Sequence, residues 1–129
     1  MPFTRIALRE GRSAAWLQQL SAVFHQQLVA HFAVPPTDCF QVIDCYPAHR
    51  LIADRDYLGG PRSDQFILFS ITAGKPRSRA QKQALYHHLA QALHRELGIP
   101  PEDVMVVITF NQADEWSFSG GEMFNPEAL

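Results

Sequence analysis

Residues 6–42 repeat in residues 71–107, without a gap and at a constant offset of 65. G-R-S-A-A-W-L-Q-Q-L stands over P-R-S-R-A-Q-K-Q-A-L, and V-P-P-T-D-C-F-Q-V over I-P-P-E-D-V-M-V-V. Twelve of the 37 pairs are identical, where chance would give about two or three. A tandem duplication constrains the fold strongly. Whatever unit one half forms, the other forms again, and the two bury their apolar faces together.

Each half reads as strand–helix–strand. An apolar strand comes first, residues 3–8 and 66–72. F-I-L-F-S-I is too continuous for a strand with one wet face, so it predicts a central, covered strand. Ser13 and Ser78 then stand at helix N-cap positions. A helix of about 19 residues follows, with its apolar stripe at Leu17, Leu20, Phe24 and Leu28, and at Leu85, Leu89 and Leu93. A Pro-Pro pair ends each helix. The second strand covers residues 39–45 and 104–110. Right-handed crossovers make the strands parallel within a half. The expected fold is α/β: two tandem β-α-β units forming a four-stranded sheet with two long helices on one face. The 129 residues suit one domain, with pseudo-repeat halves at about 2–45 and 65–110. The other sheet face has no helices left to cover it. Because residues 66–69 and 104–110 read as buried on both sides, a second subunit is the simplest cover.

Two stretches do not repeat. Residues 46–64 form a connector long enough to carry function or a small hairpin. The tail E-W-S-F-S-G-G-E-M-F-N-P puts Trp116 and Phe118 two apart, facing one way on an extended segment. They would form either a pocket wall or an edge strand.

Net charge is −2 and the pI about 6.3, which call for neither a nucleic-acid nor a membrane partner. No apolar run reaches the ~20 residues that span a bilayer. Arg5 and Arg9 are not followed by a signal-peptide core, which reads as cytoplasmic. Cys39 and Cys45 on one strand would lie roughly 20 Å apart, too far for a disulfide. His87, His88 and His94 share a helix without the i, i+4 pairing that a metal wants. No metal site is predicted.

Pro2 follows the initiator methionine at the mouth of the first strand. A small second residue allows the methionine to be clipped, leaving a secondary amine that can act as base or nucleophile. A terminal amine titrates near 7.7–8.0 in model peptides, and burial or nearby cations lower it. G-K-P-R supplies such cations in Lys75 and Arg77, which would also hold a carboxylate. Arg77 is equally the start of a repeated helix, since Arg12 and Ser13 precede Arg77 and Ser78 at the same offset. Asp38 is a carboxylate beside a Pro-Pro pair, yet its duplicate Asp103 marks the same place as a turn.

G-R-S, V-P-P-T-D-x-x-Q-V, P-R-S-x-x-Q-K at 76–82, P-E-D-V-M-V at 101–106 and D-E-W-S-F at 114–118 together resemble the tautomerase superfamily, which uses an amino-terminal proline. Within it they resemble the malonate semialdehyde decarboxylases over nearly the whole chain. The resemblance implies a catalytic Pro2, a catalytic Asp38 in the V-P-x-x-D context followed by Gln41, and a cationic pair at Lys75 and Arg77. In the family that pair is R-P-R. Here it is K-P-R, with one extra residue near Gly74, a glycine that adds freedom to the loop. It also implies a homotrimer.

The expected activity is cofactor-independent decarboxylation of a small oxo-acid such as malonate semialdehyde. Pro2, Asp38, Lys75 and Arg77 would be catalytic, and Gln41, Trp116, Phe118 and Phe124 would bind the substrate. Two rivals stand. One is keto–enol tautomerisation of a phenylpyruvate-like acid, which the aromatic residues would suit. The other is an inactive trimeric homologue acting as a binding module.

Overall fold

The computed structural model describes residues 1–128. Strand β1 (Pro2–Arg9) leads to helix α1 (Ala14–His31) and strand β2 (Gln41–Tyr46); strand β3 (Ile67–Ala73) leads to helix α2 (Arg79–Leu97) and strand β4 (Val104–Phe110). The sheet order is β2-β1-β3-β4. β1 runs parallel to β2, β3 parallel to β4, and β1 antiparallel to β3. In that central pair Arg5 faces Ser70, its own counterpart at offset 65, so the two halves meet across a pseudo-twofold axis at the middle of the sheet.

The halves fold alike because their local signals are alike. Ser13 accepts the N–H of Trp16 and Ser78 that of Gln81, with caps at φ −70°, ψ 160° and φ −70°, ψ 161°. Each cap satisfies a donor that the first turn leaves free, worth about 1 kcal/mol. Gln81 reaches back to the Ser78 N–H and completes a capping box. α1 stops at Phe32, and α2 at Gly98, whose φ of 69° lets its N–H return to the last turn.

The core lies between the helices and one sheet face. Ile6, Leu8, Ile67, Phe69 and Ile71 meet Leu20, Phe24, Leu28, Leu85, Leu89 and Leu93. Each such side chain contributes about 1.5–3 kcal/mol on burial. Phe24 stacks on Phe69 with ring centroids 4.9 Å apart, tying α1 to the sheet.

Within the chain β4 is covered on one side, as the two helices on one face require: Val104, Val106 and Ile108 pack on the core, while Met105 (47% exposed) and Val107 face outward. Two expectations change. β2 begins two residues after Cys39, and both cysteines are free and exposed. The connector forms no hairpin. It makes a single 3₁₀ turn at Ala48–Arg50 and is held at its far end by Asp103, whose buried carboxylate accepts the Ser63 N–H and Oγ–H, both at 2.6 Å.

Candidate active site

The site forms where the amino end of β1, the loop before β2 and the loop after β3 meet. Pro2 is buried and pairs with Ala73, the last residue of β3. The chain therefore delivers its amino end directly beside G-K-P-R. The Met1 amino group donates to the Asp38 carboxylate, with the Met1 side chain only 11% exposed. Asp38 itself sits in a turn closed by its N–H on the Pro35 carbonyl, 3.0 Å away. Its carboxylate thus lies against the amine one peptide bond ahead of Pro2.

Arg77 completes the cationic side. Its Nε donates to the Phe32 carbonyl at 2.8 Å and its Nη1 to the Lys75 carbonyl at 2.6 Å. Its guanidinium also lies over the Phe32 ring, 4.6 Å from the centroid. Two backbone carbonyls and one ring fix the fork. Nη2 makes no hydrogen bond to the described residues, which leaves one edge available to an anion. Burial lowers the Arg77 pKa and the nearby Asp38 charge raises it, so the two opposite charges feel one another. Lys75 contributes its carbonyl, but its side chain is exposed.

The tail supplies an aromatic cluster. Trp116 stacks on Phe118 at 5.4 Å, Phe118 meets Phe124 edge-on at 5.2 Å, and Phe40 tilts against Phe118 at 6.1 Å. Trp116 Nε1 donates to Asn111 Oδ1 at 2.6 Å, and the Phe124 N–H returns to the Trp116 carbonyl at 2.8 Å. Asn111 is itself tied by its N–H to the Ala73 carbonyl at 3.0 Å. The tail is therefore pinned at the strand end that faces Pro2. No strand forms at Trp116 and Phe118 among the described residues, so of the two expectations the edge strand falls away.

Pro2, Asp38 and Arg77 come together as expected, with Trp116, Phe118 and Phe124 as one aromatic group. Gln41 does not join them. In register with Thr4, it points to the helix face, and its Nε2 donates to the Ser21 carbonyl at 3.4 Å. Two participants were not anticipated from sequence, Phe40 and Asn111. Phe40 lies two residues after Asp38, and that spacing was the available signal. Nothing local marked Asn111.

The fold is a duplicated β-α-β sheet whose amino-terminal strand begins beside the Asp38 carboxylate, with the Arg77 guanidinium close enough to feel its charge. The sequence profile of the tautomerase-enzyme family matches residues 38–119. The probable tautomerase YusQ of Bacillus subtilis (strain 168) is 42% identical over 121 residues, covering 94% of this chain and 95% of the relative. A malonate semialdehyde decarboxylase with decarboxylase and hydratase activities superposes with a TM-score of 0.87 at 31% identity, over 94% of this chain and 93% of that one. A fused 4-OT that forms a symmetric trimer shares the fold, with a TM-score of 0.76 at 20% identity over 94% of each chain. The chain belongs to the tautomerase enzyme family.

Proposed function

We propose that the chain is a Pro2-dependent, cofactor-independent lyase that decarboxylates a small 3-oxo acid of the malonate semialdehyde type. The observation that carries this is the convergence of Asp38 and Arg77 on the amino end of β1, with an amine already resting on Asp38. Removal of Met1 turns the Pro2 amide into a secondary amine at that spot. Arg77 then takes the substrate carboxylate on its free edge, assisted by Lys75 from the exposed side of the loop. Asp38 orients the substrate or activates water.

Two routes lead from there to the same products. Pro2 as an ammonium hydrogen-bonds the carbonyl oxygen while the bond to the carboxylate breaks, CO2 leaves and the enolate takes a proton. Alternatively, neutral Pro2 attacks the carbonyl, water leaves, and the iminium accepts the electron pair as CO2 departs. The enamine then takes a proton, and water releases the aldehyde and the amine. For malonate semialdehyde both give CO2 and acetaldehyde. Borohydride traps only the second.

Tautomerisation is favoured by two things, the description of YusQ as a probable tautomerase and the aromatic cluster. Rates of Met1-free protein on malonate semialdehyde and on the enol of phenylpyruvate, measured side by side, separate the two. Loss of CO2 from the first, with slower ketonisation of the second, is the expected result. The reverse ranking makes the protein a tautomerase. Alkylation of Pro2 by a 3-halopropiolate, mapped by mass spectrometry, is expected in either case, and no adduct on Pro2 refutes the proline chemistry.

The working assembly on this reading is a homotrimer. Its support is the outward face of the sheet, where Met105 and Val107 are exposed, and the hollow of about 570 Å3 between that face and connector residues Leu51, Tyr57 and Leu58. Sedimentation at three times the chain mass is expected; a monomer at micromolar concentration overturns it.

A further inference from the structure

Gly74 is buried, and its backbone does not need a glycine, because its φ lies outside the left-handed region. What it needs is room. A Cβ placed on it would stand 2.7 Å from Trp116 Nε1 and 2.7 Å from the Met1 Cε, closer than any side-chain contact tolerates. Trp116 cannot swing aside freely, since Asn111 Oδ1 holds its nitrogen at 2.6 Å and Phe118 stacks on its face. The Met1 side chain therefore lies in a slot with Gly74 as its floor and the Trp116 edge as its wall. The slot opens beside Pro2, because Gly74 follows Ala73, the strand partner of Pro2.

Met1 fills this slot as a substrate tail would. Its amine rests on Asp38, its carbonyl carbon is bonded to the Pro2 nitrogen, and its unbranched chain of four heavy atoms runs against Gly74. Once Met1 is removed, the same space stands open beside the free amine. We infer that this slot is a binding site for the unbranched apolar tail of the substrate, and that Gly74 determines specificity by keeping it open. The inference rests on the proposed oxo-acid chemistry only for the identity of the head group. With the carboxylate on Arg77 and the carbonyl carbon at Pro2, the tail of a 3-oxo acid extends into the slot. The substrate class becomes 3-oxo acids with a straight tail of about three or four heavy atoms, longer than malonate semialdehyde itself.

Binding tests this without turnover. The probes are the saturated monocarboxylates propanoate, butanoate, pentanoate, hexanoate and heptanoate, titrated calorimetrically into Met1-free protein. Each methylene that enters the slot should tighten binding by roughly fourfold, the equivalent of about 0.8 kcal/mol per buried methylene. Gly74→Ala should abolish that gain beyond butanoate while leaving propanoate binding within about threefold of wild type. Should Gly74→Ala fail to fold, protein made without methionine aminopeptidase gives the same reading. Its retained Met1 occupies the slot, and the chain-length gain should vanish. An affinity flat with chain length in the Met1-free protein overturns the inference, as does an unchanged slope in Gly74→Ala or in the Met1-retaining form. A normal slope in a protein that turns over no oxo-acid refutes the proposed reaction instead, and leaves the slot standing.

Discussion

Asp38 and Asp103 occupy the same place in the two halves, so replacing each with asparagine contrasts chemistry with structure in one fold. The structure makes the contrast sharp. Asp103 is 0% exposed and takes both the N–H and the Oγ–H of Ser63 at 2.6 Å. An amide there keeps one acceptor and loses one charge-assisted bond, about 1.5–3 kcal/mol. For a chain of this length that lowers Tm by roughly 5–11 °C. Asp38 is 17% exposed, and its turn is held by a backbone bond to Pro35 that an asparagine retains. Its loss should cost at most about 1 kcal/mol, as for a partly exposed ionic contact. The expected penalty falls on turnover instead, down about a hundred- to ten-thousand-fold if the carboxylate moves a proton or holds water. Thermal unfolding and turnover of Met1-free protein are measured on both variants, below the Tm of each. Asp103→Asn should melt early and turn over normally; Asp38→Asn should melt normally and turn over poorly. Equal turnover in the two variants refutes a catalytic Asp38 and moves tautomerisation by Pro2 and the cations ahead of decarboxylation.

Arg77→Ala should lower kcat/KM by roughly ten- to a hundredfold through loss of carboxylate binding, with some loss of Tm because the Phe32 and Lys75 carbonyls lose their donor; wild-type kinetics would return Arg77 to a purely structural role. Protein that keeps Met1 should be inactive, since Pro2 is then an amide and Met1 fills the site; intact-mass analysis beside an activity assay checks it, and full activity with Met1 in place ends the proline mechanism. His31 stacks on His88 at 4.0 Å, and its pKa is lowered by burial and then by His88. A histidine whose pKa falls on folding binds more protons unfolded, so stability should drop as pH falls through 6.5. The drop should be small, because the pair is only partly buried and is screened by solvent. His31→Gln should flatten denaturant midpoints between pH 7 and 5, and an unchanged slope would show that the stacked pair carries no such penalty.

The fold was legible because the duplication stated it twice. Ser13 and Ser78, the leucine stripes and the Pro-Pro stops are local signals, and each is realised where it was read. β4 was legible for a physical reason. V-M-V-V-I-T-F is apolar at every position but Thr109, and with both helices spent on one face the chain has nothing of its own to lay over the other, where Met105 and Val107 are exposed. Gln41 misled. Its motif context suggested the site, but the parallel register with Thr4 turns it to the helix face, and register is invisible in a motif. Gly74 was legible as an oddity with the wrong reason attached. It reads as added freedom, whereas its φ is ordinary and its function is to leave space. Asn111 was beyond reach, because its partner Trp116 is fixed by the fold of the tail.

The duplication also sets each proposed site residue against a counterpart in the other half. Offset by 65, the counterpart of Pro2 is Ile67, that of Lys75 is Glu10, that of Asp38 is Asp103 and that of Arg77 is Arg12. The frame is the same at both places, yet Ile67 is in mid-chain, where its nitrogen is an amide with no basic lone pair. On the proposed reading proline chemistry needs a basic amine, which Ile67 cannot offer. The second set serves packing. Arg12 lies over the Trp16 ring at 4.1 Å and reaches Gln65, while Asp103 clamps Ser63 and with it the end of the connector. Asp38 and Arg77 form neither contact. Arg77 keeps an edge that no described residue occupies, and Asp38 meets the chain's own amine. Asp38 and Arg77 thus keep the residue types of their counterparts, and it is their contacts, set by the chain's amino end, that differ between the halves.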